Sequence, residues 1–156
     1  MQDSNKFKFK NKMRKYLPTI GQLIDRLSIV TLKSIKIKEN KEEYEKEAQE
    51  IMADLTEIFQ NINPNEMGNF IRAIQVNGII NEIIWSNEAF VRQGEGNITN
   101  KEIANRLTLT HSLNRVRNQA MNVISQIVGE RKDLKLDYID AEKTKKYGYD
   151  FKDILT

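Results

Sequence analysis

The chain has 156 residues, a net charge of +3 and no cysteine. Its length suits one domain with a substantial core, and the missing cysteines exclude disulfides, thiol nucleophiles, iron–sulfur clusters and thiolate zinc sites. A single histidine also argues against a metal site built on imidazoles. No apolar stretch approaches the roughly 20 residues that cross a bilayer, and the charged start does not resemble a signal peptide. We therefore expect a soluble, cytoplasmic protein without membrane contact.

Residues 1–17 form a basic N-terminal arm with a local charge of +5, so the remaining 139 residues carry −2. Such an arm can bind nucleic acid or an acidic surface, because each phosphate contact releases counterions. The alternative is a solvated tail that aids solubility, which is the more common role of lysine runs at chain ends. Phe7 and Phe9 alternate with the lysines and could stack on bases or pair as an edge strand. The sequence leaves these alternatives open.

The first half of the chain predicts two helices. Only two prolines and seven glycines interrupt the sequence, and the segments between them have helical periodicity, which predicts an all-α fold. Thr19 and Gln22 form a capping-box pattern, which predicts a helix running to about Lys38. Its apolar residues cover more than one face, so we expect it to lie centrally. A second helix, apolar on one face, is predicted from about Lys41 to Ile62.

The second half predicts two longer helices. Asn63 followed by Pro64 marks the start of a third helix that runs to about Gln93. A second capping box at Thr99 starts a fourth helix, which ends near Val128. Four helices with short links are typical of an up-down helical bundle.

We expect the bundle to span residues 18–129 and a C-terminal extension to span residues 130–156. The extension mixes charges with aromatic side chains. It predicts a short fifth helix near Asp137–Lys146, followed by a tail whose aromatics pack on the bundle or on a second copy of the chain.

The third helix has a polar arc that contains the only tryptophan, opposite a stripe of isoleucine and valine. One interpretation makes this arc the solvent face, with Trp85 packed against the C-terminal extension. The other makes it a binding surface, on which Trp85 stacks on a ring and polar side chains bind a polar ligand. The arc consists of Asn77, Asn81, Trp85, Glu88 and Arg92.

The fourth helix places Arg106 and Arg117 at the side of its apolar arc. A charge on a packed face is costly unless it is paired, so each arginine needs an anion. Asp25 and Glu88 could supply it as internal carboxylates. A bound phosphate or carboxylate could supply it instead, because a guanidinium binds such groups with two hydrogen bonds. Both can hold if Asp25 orients an arginine that a ligand then uses.

The acidic second helix suggests a magnesium enzyme. Glu39/Glu42 and Glu47/Glu50 resemble the Glu-x-x-Glu half of the motif in all-α nucleotide pyrophosphohydrolases. The Glu-x-x-Asp half does not follow at a suitable spacing, and no phosphate loop, nucleophile elbow or calcium loop occurs. We expect His111 to be exposed rather than to act as a base. No catalytic residue, metal ligand or cofactor is predicted.

Three segments resemble a family of small, functionally uncharacterised helical proteins of bacteria and phages, which open with a Gly-Glu-Leu-Ile-Asp-Lys-Leu-type stretch. Residues 19–33 resemble that opening, with Gln22 where the family usually has glutamate. Residues 81–85 resemble the family's Asn-x-x-x-Trp helix, and residues 113–118 its Leu-Asn-x-x-Arg-Asn helix. The resemblance implies a helical bundle and no known activity. The matched polar positions are Asp25, Arg26, Lys33, Trp85, Glu88, Arg92, Asn114, Arg117 and Asn118.

From these observations we predict a non-catalytic binding protein, a dimer, whose pocket between the first, third and fourth helices holds a phosphate-bearing, nucleotide-like small molecule. The high content of lysine, asparagine and isoleucine is typical of AT-rich genomes and fits a phage protein that sequesters a host nucleotide signal. The alternatives are a nucleic-acid or protein adaptor acting through residues 1–17, and a magnesium-dependent phosphate-ester hydrolase. The predicted ligand-binding residues are Arg26, Lys33, Asn81, Trp85, Glu88, Arg92, Arg106, Asn114, Arg117 and Asn118.

Overall fold

The computed structural model describes residues 16–60, 62–94, 97–134 and 141–155. Within these ranges the α-helices are α1 (Ile20–Lys36), α2 (Lys41–Phe59), α3 (Met67–Gln93) and α4 (Asn100–Ile127). Two 3₁₀ helices are described as well, Pro64–Glu66 and Ala141–Tyr147. The described residues contain no strand, so the prediction of an all-α helical bundle is confirmed.

Both predicted capping boxes are present. The Thr19 N–H donates to Gln22 Oε1 (2.9 Å), and the Gln22 N–H donates to Thr19 Oγ1 (3.3 Å). Thr99 and Glu102 repeat this arrangement at the start of α4. Gly129 has φ +77° just beyond α4, a left-handed conformation that suits a helix end. These starts and stops are predictable because each depends on a few neighbouring residues.

The junction between α2 and α3 differs from the prediction. α2 ends at Phe59 rather than near Ile62, and a 3₁₀ turn at Pro64–Glu66 precedes α3. Asn63 Oδ1 accepts a hydrogen bond from the Asn65 N–H (3.0 Å). The Asn–Pro pair therefore starts a helical turn at the predicted place, but the first turn is tighter than an α-helix.

α1 lies at the centre and packs against α2, α3 and α4, as its several apolar faces lead us to expect. α3 and α4 form an antiparallel pair, and α1 runs antiparallel to both α2 and α4. α2 packs mainly on α1 and meets α3 through Phe59 and Phe70, whose rings pack edge to face with centroids 5.4 Å apart. The chain thus alternates in direction, with α1, α3 and α4 as the core and α2 covering one side of α1.

The apolar core has two parts. One lies around the start of α1 and includes Ile20, Leu55 and Phe70. The other lies between α3 and α4 and includes Ile80 and Leu113. Within the described ranges, no helix combines the length and hydrophobicity that crossing a membrane requires.

α1 approaches α4 most closely at Gly21. A Cβ atom added there would lie 2.2 Å from the carbonyl oxygen of Met121. The Gly21 N–H donates to Ser125 Oγ (3.2 Å), and the Ile20 N–H donates to a Glu130 carboxylate oxygen (2.5 Å). These contacts hold the start of α1 against the end of α4 and so set the position of Asp25, one turn further along α1.

The described part of the C-terminal extension folds back onto α3 and α4. The Tyr147 hydroxyl donates to the backbone carbonyl of Asn105 (2.8 Å). Tyr149, Phe151 and Leu155 pack against the α3–α4 part of the core. The predicted fifth helix is a 3₁₀ helix, Ala141–Tyr147, and the first residues predicted for it lie outside the described residues.

Candidate functional site

The first half of the polar arc on α3 faces the interior. Asn77 has no exposed surface and Asn81 is 4% exposed. Both amide groups donate to Asp25 Oδ1 on α1, at 3.0 and 2.9 Å. Ile79, from the opposite stripe, is 56% exposed instead. The interpretation of this arc as a solvent face is therefore wrong for its first half, because α1 presents a carboxylate that needs donors.

Arg117 of α4 completes this buried polar group. Its Nε lies 3.7 Å from Asp25 Oδ1, and its Nη1 donates to Asn81 Oδ1 at 3.4 Å. The two charged side chains are only 22% and 14% exposed. Nε is buried and has no hydrogen-bond partner. Asp25 thus balances the charge of the guanidinium without satisfying its hydrogen-bonding capacity, and this arginine is paired with the first of the two expected carboxylates.

A cavity of about 380 Å³ opens beside Arg117, between α1, α3 and α4, with one residue contributed by α2. Its position matches the pocket expected from the sequence. Six of the ten predicted ligand-binding residues line it, namely Lys33, Asn81, Trp85, Glu88, Arg92 and Arg117.

The cavity lining carries three cations and one carboxylate. The Arg117 side chain is 22% exposed, whereas that of Arg92 is 66% exposed. The Lys33 ammonium lies 5.5 Å from the centroid of the Tyr44 ring. Glu88, 52% exposed, approaches Arg92 at 3.9 Å. Because Asp25 already balances the charge of Arg117, the net positive charge around the cavity is small, but it still favours anions.

Tyr44 and the apolar wall of the cavity were not among the residues predicted from the sequence. Trp85 is half-buried on the lining, as is Tyr44, which α2 contributes. Tyr44 belongs to the apolar stripe of α2 and looks like an ordinary core residue. Its proximity to Lys33 could have been found from the short α1–α2 link, which requires an antiparallel pair. The apolar wall consists of Ile29, Leu32, Ile37 and Ile84.

Arg26 lies outside the cavity, contrary to the prediction. Its guanidinium pairs with the Glu47 carboxylate on α2, with Nη2 3.0 Å from Oε2. This hydrogen bond raises the pKa of Arg26 and lowers the pKa of Glu47. Consecutive helical residues point about 100° apart, so Arg26 cannot share the direction of Asp25.

Arg106 is also separate from the cavity. It precedes Arg117 by three helical turns, about 16 Å along α4. Its Nη1 donates to Asn87 Oδ1 (3.1 Å), and its guanidinium lies 4.2 Å from the Phe90 ring centroid. The guanidinium thus contacts a neutral amide and an aromatic face, and the carboxylate that interacts with it electrostatically is Glu102, one turn earlier on α4, rather than Glu88. Asn87, 4% exposed, is a buried polar residue that the sequence analysis overlooked.

Asn114 and Asn118 flank Arg117 on α4 but do not line the cavity. Asn114 is half-buried, and Asn118 is 7% exposed. Their predicted role, contacting the polar edges of a ligand, is not supported by their positions. The asparagine that lines the cavity is Asn81 of α3.

The alternative functions have few described residues to support them. In the described ranges of the chain, no group of three or more histidine, aspartate or glutamate side chains lies where it could hold a metal ion. His111 is exposed. Of the basic arm, only Tyr16 and Leu17 fall in the described ranges, and the Arg131 guanidinium lies 4.2 Å from the Tyr16 ring centroid.

In comparisons with known proteins, no family model, no curated protein and no solved structure matches the chain. The resemblance to small bacterial and phage helical proteins therefore stays a prediction.

Proposed function

We propose that the chain is a non-catalytic binding protein for a phosphate-bearing, nucleotide-like small molecule, held in the cavity between α1, α3 and α4. The observation that carries the proposal is the state of Arg117. This guanidinium lines the cavity, is only 22% exposed, and is held beside Asp25 and Asn81.

Arg117 is suited to a phosphate because its orientation is set before any ligand arrives. A guanidinium presents paired N–H donors that match the oxygens of phosphate. A side chain already held in place loses little conformational entropy on binding. Lys33 and Arg92 add two further positive charges on the same lining.

The remaining lining suits the ring of a nucleotide. Trp85 offers a half-buried indole face, and the isoleucine and leucine side chains offer an apolar wall. An aromatic side chain can stack on any nucleobase, because every base has a π-face. The cavity volume of about 380 Å³ is near the lower end of the range found for small-molecule sites.

We further propose that the biological role is sequestration of a nucleotide signal in the host cytoplasm by a phage protein. The lysine-, asparagine- and isoleucine-rich composition supports this role, because such a bias is common in AT-rich genomes. Such a protein would act by lowering the free concentration of its ligand.

Calorimetric titration of the full chain with mono-, di- and cyclic nucleotides tests the proposal. We expect at least one nucleotide to bind. Arg92→Gln, an exposed change that leaves the fold intact, should weaken binding about tenfold, because a hydrogen bond to a charged group contributes about 1.5 kcal/mol or more. Arg117→Lys keeps the charge beside Asp25 but loses the paired donors, so it should weaken binding more.

Two controls accompany this titration. Arg26→Gln removes a guanidinium outside the cavity and should leave the affinity unchanged. Deletion of residues 1–15 should also leave it unchanged, whereas an adaptor acting through the basic arm would lose its binding. The proposal is wrong if no nucleotide in the panel produces heat.

A further inference from the structure

Glu88 is the only carboxylate among the residues that line a cavity otherwise suited to anions. It lines the same space as Lys33, Arg92 and Arg117, and its carboxylate is 52% exposed. Its approach to Arg92, 3.9 Å, is longer than a hydrogen bond, and exposed ion pairs of this kind stabilise a fold very little. A negative charge here also repels phosphate. Its presence therefore favours a ligand that carries hydrogen-bond donors as well as negative charge.

The position of Glu88 on α3 places such donors beside the ring of the ligand. Glu88 follows Trp85 by three residues, and side chains at this spacing are neighbours on one helix face. Both line the cavity. A base stacked on the indole would direct one of its edges toward the carboxylate. Of the three cations, Arg92 lies beside Glu88 (3.9 Å), so Lys33 and Arg117 are the two that remain for the phosphate groups.

The donor pattern of the bases distinguishes among them. An ionised carboxylate only accepts hydrogen bonds, and its two oxygens favour two parallel N–H donors. Guanine presents two adjacent donors on its Watson–Crick edge, N1–H and the 2-amino group. Adenine and cytosine present one amino group beside an unprotonated ring nitrogen, whose lone pair repels the carboxylate. Uracil presents one N–H between two carbonyl oxygens, which the carboxylate also repels.

We infer that the cavity is selective for guanine nucleotides and that Glu88 is the residue that determines this selectivity. The inference rests on the proposed function, since it concerns which nucleotide the same cavity binds.

The test is calorimetric titration of the full chain with guanosine, inosine, adenosine, cytidine and uridine diphosphates. Guanosine diphosphate should bind at least about tenfold more tightly than the adenosine, cytidine and uridine compounds, as expected for a two-hydrogen-bond contact to a base. Inosine diphosphate keeps N1–H but lacks the 2-amino group, so it should fall between guanosine and adenosine diphosphates.

Glu88→Gln separates recognition of the base from a general effect of charge. Because the Glu88 side chain is 52% exposed, we expect this variant to fold as the parent does. It should reduce the preference for guanosine over adenosine diphosphate to about threefold or less, mainly by weakening the guanosine compound. Glu82→Gln is the matched control on the same helix, because Glu82 lies outside the cavity and pairs with Lys36 (2.8 Å). It should leave the preference unchanged.

The outcomes distinguish this inference from the proposed function. Equal affinity for all five diphosphates overturns the selectivity and leaves nucleotide binding intact. A guanine preference that survives in Glu88→Gln, or a variant that tightens all five equally, overturns the role of Glu88. No binding of any diphosphate, together with none in the wider nucleotide panel, overturns the proposed function and this inference together.

Discussion

The contact between α1 and α4 changes character within one helical turn. At Gly21 the helices touch so closely that a methyl group would collide with the carbonyl of Met121. At Asp25, one turn along, the same helices are bridged by Arg117 and by two asparagines from α3. The first region is closed and holds the helices together. The second is polar and opens onto the cavity.

This difference shows how one interface serves two purposes. Close packing at Gly21 leaves no room for a ligand but fixes the register of α1 against α4. That register places Asp25 where it can hold Arg117. Because a buried ion pair contributes little net stability, its value here lies in positioning a charged group. Variants at Gly21 and at Asp25 can separate the effect of close helix packing from the effect of positioning Arg117.

The largest effect is expected from Asp25→Ala. The change removes the acceptor of two buried amide groups and the counterion of Arg117, leaving a largely buried charge unpaired. We expect a loss of about 3 kcal/mol, since Asp25 and Arg117 retain some solvent exposure. Chemical denaturation measures it. Adding Arg117→Met should recover part of the loss, and a single variant as stable as the parent would contradict the described pairing.

Gly21→Ala should have the next largest effect on stability. The added Cβ must displace the backbone of α4, and overpacking of this kind costs about 2 kcal/mol. Gly78→Ala is the matched control in the middle of α3, where the nearest atom would be Ser28 Oγ at 3.9 Å. That variant should be neutral or stabilised by up to about 1 kcal/mol. Equal melting temperatures for the two variants would show that the close approach is absent.

Thr99→Ala tests a local element away from both regions. Removing the capping hydroxyl of α4 should cost about 1 kcal/mol. Thr56→Ala is the control, because Thr56 lies within α2, where its hydroxyl bonds back to the Met52 carbonyl (2.7 Å). Alanine is favourable there, so no loss of thermal stability is expected. Similar losses in both variants would rule out a specific capping role.

Arg26→Gln should have the smallest effect, and that effect should depend on pH. The hydrogen bond from Arg26 lowers the pKa of Glu47 below its ordinary value of 4.5. The pair therefore contributes above pH 4.5 and loses its contribution as the pH falls through the lower, folded-state pKa. At neutral pH the exposed pair contributes less than about 1 kcal/mol. Denaturation curves of parent and variant should converge in acid; a constant difference would contradict this account.

Much of the fold could be predicted because its signals are local. The capping residues at Thr19 and Thr99 and the glycine at 129 define helix ends within a few residues. The central position of α1 follows from its apolar faces. The 3₁₀ turn at Pro64–Glu66 could not be predicted, because the same residues are compatible with an α-helical first turn.

The candidate site could be predicted only in part. Lys33, Trp85 and Arg117 line one cavity. Trp85 and Arg117 were singled out by their positions on α3 and α4, whereas Lys33 was included only because it matches the family that the sequence resembles. The partner of each arginine depends on contacts between helices, which the helical period does not define. Arg106 contacts Asn87 and the Phe90 ring, and the carboxylate that interacts with it is Glu102 instead of Asp25 or Glu88. The direction in which the polar arc of α3 faces could not be predicted either, because a buried asparagine such as Asn77 cannot be distinguished from an exposed one by its polarity.

The most direct test of the central claim uses Trp85, the only tryptophan of the chain, as a reporter of the cavity. Its fluorescence is recorded during nucleotide titration, with excitation at the red edge where nucleotides do not absorb. The account predicts saturable quenching in the parent and in Arg26→Gln, and a much weaker response in Arg117→Lys. Emission that no nucleotide changes in the parent, or quenching that is identical in Arg117→Lys, would contradict it.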